Sequence, residues 1–141
     1  MLATCEGRKN DPWDTGVIDI LLRRSCDGGE TWSDPVVLVS GESRTAHAPV
    51  MIGNPHAPEV HLLYCRDYQR LFHSVSRDAG LSFSPPTDLT TLFEQYRVEY
   101  NWKMISTGSG QRLRMRSGRL IAPVWMSTTS AQKPTSVSVI F

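Results

Sequence analysis

The apolar positions of the chain fall into short runs separated by clusters of Gly, Pro, Ser and Asp. Residues 17–24 (VIDILLRR) are apolar with partial alternation and predict a strand. Residues 36–40 predict another after the Asp34-Pro35 step, and residues 59–66 (EVHLLYCR) and 71–76 (LFHSVS) predict two more. Residues 119–126 (RLIAPVWM) predict a strand after the Ser117-Gly118 turn, and residues 136–141 (SVSVIF) a last, alternating one. Residues 1–5 read as the second half of a strand. Pro49, Pro55 and Pro58 mark the intervening region as rich in loops. No segment carries an apolar stripe at the 3.6-residue spacing, and residues 90–100 are predicted to hold only a short helical turn. Short strands with frequent turn signals predict an all-β architecture.

One pattern occurs twice, 51 residues apart. Ser25-Cys26-Asp27-Gly28-Gly29-Glu30-Thr31-Trp32 and Ser76-Arg77-Asp78-Ala79-Gly80-Leu81-Ser82-Phe83 both read Ser-x-Asp-x-Gly-x-Ser/Thr-aromatic. Pro35 follows the first copy as Pro85-Pro86 follow the second, so the repeat extends past the octapeptide. A fixed period of this size points to a propeller or a similar array. Each motif residue also has a local task. The Asp accepts hydrogen bonds from N–H groups of its own turn, the Gly permits positive φ, and the aromatic packs into the sheet as the next strand begins. Ser25, Asp27, Gly29, Thr31, Trp32, Ser76, Asp78, Gly80, Ser82 and Phe83 are therefore expected to be structural.

Composition narrows the function classes. With 40% hydrophobic and 21% charged residues in 141, the chain has the make-up of one ordinary soluble domain. A formal charge of +1 gives no electrostatic case for nucleic acid or an anionic membrane. No apolar run approaches membrane-spanning length, and residues 1–5 lack signal-peptide character. Cys5, Cys26 and Cys65 form no zinc spacing and, being odd in number, no disulfide framework. His47, His56, His61 and His73 show no metal-ligand spacing, so no metal or cofactor is expected.

The repeated octapeptide resembles the Asp box of sialidase-type six-bladed β-propellers. The run Glu6-Gly7-Arg8-Lys9-Asn10-Asp11-Pro12-Trp13-Asp14-Thr15-Gly16-Val17 resembles the first-blade region of bacterial-type exo-α-sialidases. Tyr100-Asn101-Trp102-Lys103, Thr107-Gly108-x-Gly110 and Gly118-Arg119-Leu120-Ile121-Ala122-Pro123-Val124-Trp125 resemble later parts of the same family, in the same order. The resemblance implies a partial sialidase-like propeller over residues 1–141, about two to three blades of six, with Asp boxes at 25–32 and 76–83 and truncation at both ends. Blades left open at such ends predict self-association.

The resemblance also assigns roles. Asp14 aligns with the general acid/base that protonates the departing glycosidic oxygen and later activates water. Asp11 is the rival carboxylate three residues earlier. Arg8 aligns with an arginine lining the pocket near the sugar's 4-hydroxyl, a task that suits a planar, always-charged fork. Relatives often carry Asn or Asp where this chain has Ala46-His47-Ala48-Pro49, so His47 is the candidate substitute as a polar partner for Arg8. A second departure places Arg112 where relatives have Gly. The family's Arg-Ile-Pro clamp motif, its two later clamp arginines and its Tyr nucleophile have no counterpart here, and Tyr64, Tyr68, Tyr96 and Tyr100 lie outside the nucleophile context. The implied substrate is a sialylated glycan, hydrolysed with retention, and the implied parent protein is secreted or periplasmic. The 141-residue chain alone is expected to be inactive. The competing readings are a glycan-binding or vestigial propeller module and a structural piece that folds with missing blades.

Overall fold

A computed structural model describes residues 1–10, 12–14, 16–108 and 113–128, and the backbone of Val137–Ile140. The strands are β1 (Leu2–Arg8), β2 (Ile18–Arg24), β3 (Val36–Val39), β4 (Ala46–Gly53), β5 (Val60–Arg66), β6 (Arg70–Ser76), β7 (Thr87–Asp88), β8 (Met104–Thr107), β9 (Leu113–Arg114), β10 (Leu120–Ile121), β11 (Pro123–Ser127) and β12 (Val137–Ile140). A single helical turn, α1 (Thr91–Glu94), runs into a 3₁₀ turn (Gln95–Arg97) within the stretch where the sequence predicts one. The strands form antiparallel sheets in the orders β1-β2-β3, β4-β5-β6-β7 and β12-β11-β8, with a small β9–β10 hairpin.

The course β1–β2–turn–β3 repeats as β5–β6–turn–β7, which is the structural content of the 51-residue period. In the first turn the Asp27 carboxylate accepts the N–H of Thr31 at 3.0 Å and the hydroxyls of Thr31 and Ser25, while Ser25 Oγ accepts the N–H of Gly29 at 2.8 Å. In the second, Asp78 accepts the N–H of Ser82 at 2.9 Å and the Ser76 hydroxyl at 2.7 Å, and Ser76 Oγ accepts the N–H of Gly80 at 2.7 Å. These donors hold both carboxyls far below the usual carboxylate range, the Thr31 and Ser82 hydroxyls contributing most. The backbone turns through two left-handed residues in each copy, Gly28-Gly29 and Ala79-Gly80. The Arg24 guanidinium donates to the Gly80 carbonyl and ties the two turns together.

The sheets stack face to face. Ile20, Ala46, Leu62, Tyr64 and Phe72 fill the space between the first two sheets, with Phe83 of the second turn packed against them. Cys65, Leu71, Phe93, Trp102, Ile105, Val124 and Met126 fill the next space. Each fully buried Leu or Ile there contributes about 1.5–3 kcal/mol. β5 is therefore buried on both faces, Leu62 and Tyr64 toward one layer and Cys65 toward the other, which explains why residues 59–66 do not alternate cleanly. Trp102 is fully buried, donates its indole N–H to the Phe93 carbonyl at 3.0 Å and lies under the Arg97 guanidinium at 3.6 Å.

Several elements differ from the sequence expectation. β1 continues through Arg8, paired with β2 along its length. The region marked as loop-rich contains β4. Pro49 is accommodated because the β4–β5 register shifts between His47 and Val50, with Ala48 at φ 52°, so no ladder bond is asked of Pro49. β8 has only four residues, all buried, too few to show a period. Residues 119–126 divide at Ala122 because β10 pairs with β9, whereas β11 pairs with β8 and β12.

Candidate functional site

β1 and β4 pack together, as do β4 and β8. Side chains knit these three strands. Glu6 Oε1 accepts the Ala48 N–H at 2.8 Å, and the Thr107 hydroxyl donates to the Ala48 carbonyl. The bulge that re-aims β4 therefore sits between its two neighbours, and the residues around it form the candidate site.

Glu6 and Arg8, two apart on one strand, lie on the same side of β1. The Arg8 guanidinium contacts Glu6 at 3.1 Å and donates to Asp14 across the 9–17 loop. The Asp14 side chain is 65% exposed and that of Arg8 34% exposed, so the pair faces solvent. The hydrogen bond to Asp14 raises the Arg8 pKa against partial desolvation, and the Glu6 charge adds to it. The loop closes through Lys9 N–H to the Val17 carbonyl at 3.0 Å and Gly16 N–H to the Trp13 carbonyl at 3.2 Å. Its base is anchored by Asp19, a buried carboxylate on β2 that binds Lys9 Nζ at 2.8 Å and accepts the Gly41 N–H at 2.8 Å. Burial alone would raise the Asp19 pKa, but Lys9 and Gly41 hold it below its ordinary value.

His47 is buried, and neither ring nitrogen has a hydrogen-bond partner among the described residues. Its ring lies under Tyr68 at 3.8 Å between centroids. Burial pulls the His47 pKa down to about 4, against the charges of Asp14 and Asp67, so the imidazole is neutral at pH 7. Tyr68 sits at the tip of the β5–β6 hairpin, where Asp67 and Tyr68 both adopt positive φ, 52° and 57°. That conformation is costly for a bulky aromatic. Asp67 secures the tip: its N–H donates to Thr45 Oγ1 at 3.1 Å, and its carboxylate takes Arg44 at 3.1 Å. The Ile105 N–H donates to the Tyr68 carbonyl at 2.7 Å. Burial pushes the Tyr68 hydroxyl up to about 12, with Asp14 and Glu6 adding to the shift and Arg8 opposing it.

The structure thus brings Arg8 and Asp14 into contact, but the second polar partner of Arg8 is Glu6 and not the expected His47, which is buried beneath Tyr68 with neither ring nitrogen bonded among the described residues. Asp11 and Arg112 lie outside the described residues. Glu6, Asp19 and Tyr68 are site residues that the sequence reading missed. The i, i+2 spacing of Glu6 and Arg8 could have flagged the first, and a lone carboxylate inside VIDILL the second. No local signal marks Tyr68, because its place depends on a hairpin folding over another strand. Chemically, the site offers a solvent-facing carboxylate able to exchange a proton with a ligand, and a guanidinium able to bind oxygen acceptors. No group of three metal-ligating side chains occurs among the described residues, and no helix among them is long and apolar enough to cross a membrane.

No protein-family model and no curated protein matches the chain. Among solved structures the fold matches that of a protein described as Hadza microbial sialidase Hz136, with a TM-score of 0.70 and 19% sequence identity. The match covers 89% of this chain and 29% of that protein, so the chain spans less than a third of its length. The fold is a sialidase-like, all-β partial propeller.

Proposed function

We propose that this chain carries part of an exo-α-sialidase site, which releases terminal sialic acid from glycoconjugates with retention of configuration. Asp14 is the general acid/base and Arg8 binds the sugar; Asp11 is assigned to substrate binding through the family resemblance alone, and His47, buried beneath Tyr68, supports the site from behind. The two octapeptide turns are Asp boxes. One observation supports this reading above the others: a solvent-facing carboxylate held by a guanidinium where the neighbouring strands β1, β4 and β8 converge. The test is hydrolysis by the protein expressed from its complete reading frame. Asp14→Asn is expected to lower kcat/KM for sialyllactose by about 10²–10⁴. The loss for a sialoside with an aryl leaving group should be much smaller, since that oxygen departs without protonation. Equal losses on both substrates, or no loss, refute the acid/base assignment.

A non-catalytic glycan-binding module is the second reading. It is favoured by the Arg8–Asp14 contact, because a carboxylate engaged by a cation must be released before it can donate a proton. Binding of sialyllactose without turnover by the complete protein would select it. Under either reading β3, which has no partner on its outer side among the described residues and exposes Val36 and Val37, is a route for self-association of the 141-residue chain. A monodisperse monomer in light scattering would count against that.

A further inference from the structure

A cavity of about 230 Å³ lies between the β5–β6 face of the second sheet and the β10–β11 segment, under α1. Its walls are apolar, formed by Leu63, Leu71, Phe93, Leu120 and Val124 among others, and its polar groups are His61 and His73. It is separate from the Arg8–Asp14 site. His61 is five residues before the end of β5, roughly 17 Å along the strand from the hairpin tip that carries Tyr68.

The two histidines are wired to a carboxylate. Glu59 Oε1 faces His61 Nε2 at 3.4 Å, and His61 Nδ1 meets His73 Nε2 at 3.0 Å, with the rings stacked at 5.2 Å. Glu59 is held ionised by Arg114 and Arg77, each at 3.1 Å, and its pKa is lowered, by Arg114 first and then by His61. The ionised Glu59 carboxylate lies 3.4 Å from His61 Nε2, and its charge favours the tautomer that carries the proton on that nitrogen. In the neutral ring Nδ1 is then an acceptor, and His73 must supply Nε2–H. This leaves His73 Nδ1 as a lone pair with no partner among the described residues. Burial, followed by the His61 charge, lowers the His73 pKa and disfavours its protonated form. Among the described residues, the charged groups joined to the histidine pair are Glu59 and, through it, Arg77 and Arg114. α1, β10 and β11 contribute only apolar side chains to the lining.

We propose that this cavity binds a small ligand with an apolar ring or chain and one hydroxyl or N–H donor, which the histidine pair accepts at His73.

The probes are naphthalene and 2-naphthol, titrated into the 141-residue chain at pH 8 by calorimetry, with ¹⁵N spectra of the histidine rings. At pH 8, 2-naphthol is expected to bind roughly two- to tenfold tighter than naphthalene, the yield of one ordinary net hydrogen bond. His73→Phe should erase that preference while naphthalene still binds. The unliganded chain at pH 8 should show His73 protonated at Nε2 and bare at Nδ1, a readout that needs no variant. Equal binding of naphthalene and 2-naphthol, no binding of either at millimolar concentration, or a His73 Nδ1–H tautomer at pH 8 would each overturn the proposal.

Discussion

Asp19 offers the sharpest test of how the 9–17 loop is held. Replacing it with Ala removes the acceptor of the buried Gly41 N–H at 2.8 Å, and an orphaned buried donor costs about 1–3 kcal/mol. It also removes the ion pair with Lys9 at 2.8 Å. The Lys9 side chain is 44% exposed, which limits that pair to about 0.5–1 kcal/mol. The Ser40 hydroxyl, at 3.5 Å, adds little. Asp19→Ala should therefore cost about 2–3 kcal/mol. Asp19→Asn keeps an oxygen for Gly41 and should cost about 1 kcal/mol. Urea unfolding at pH 7, followed by tryptophan fluorescence, measures both. Because the folded-state pKa of Asp19 is lowered, its charge stabilises above the unfolded value of about 3.9 and loses its effect as pH falls through the folded value. The gap between wild type and Asp19→Asn should stay constant from about pH 5 to pH 8 and shrink in acid. Asn proving as costly as Ala, or Ala costing under about 0.5 kcal/mol, would refute the reasoning.

His47 should destabilise the fold in acid. Its folded pKa of about 4 lies below the unfolded value, so the unfolded chain takes up the proton first and stability falls from about pH 6.5 to pH 4, by about 3 kcal/mol. His47→Phe, which keeps a ring under Tyr68, should remove that part of the pH dependence in urea titrations; an unchanged acid limb would contradict the burial argument. Thiol titration of the native chain should count two fast groups, Cys5 and Cys26, with Cys65 reacting only on unfolding, since burial pushes its thiol up to about 12. Three fast thiols would place Cys65 outside the core.

The strands β2, β5 and β6 were legible because long apolar runs between turn signals leave few alternatives. The octapeptide turns were legible for a different reason. Asp27 and Asp78 find their hydrogen-bond partners within four residues, so the motif satisfies itself wherever it stands. β4 was not legible, because Pro49 argues against a strand until a bulge supplied by pairing with β5 makes room for it. Arg8 and Asp14 stood out only through family resemblance.

By itself, then, the sequence determined what is local: the short strands, the repeated turn and its 51-residue period, and the residue types able to exchange a proton or bind an anion. The tertiary structure alone decided which of those groups meet. Glu6 holds the β4 bulge, Tyr68 covers His47, and Glu59 meets the His61–His73 pair. Glu6 and Tyr68 reach their partners across sheet edges and hairpin tips, contacts set by how neighbouring sheets stack. The Glu59 relay is written along two strands, and its role appears only once another sheet closes over their apolar face.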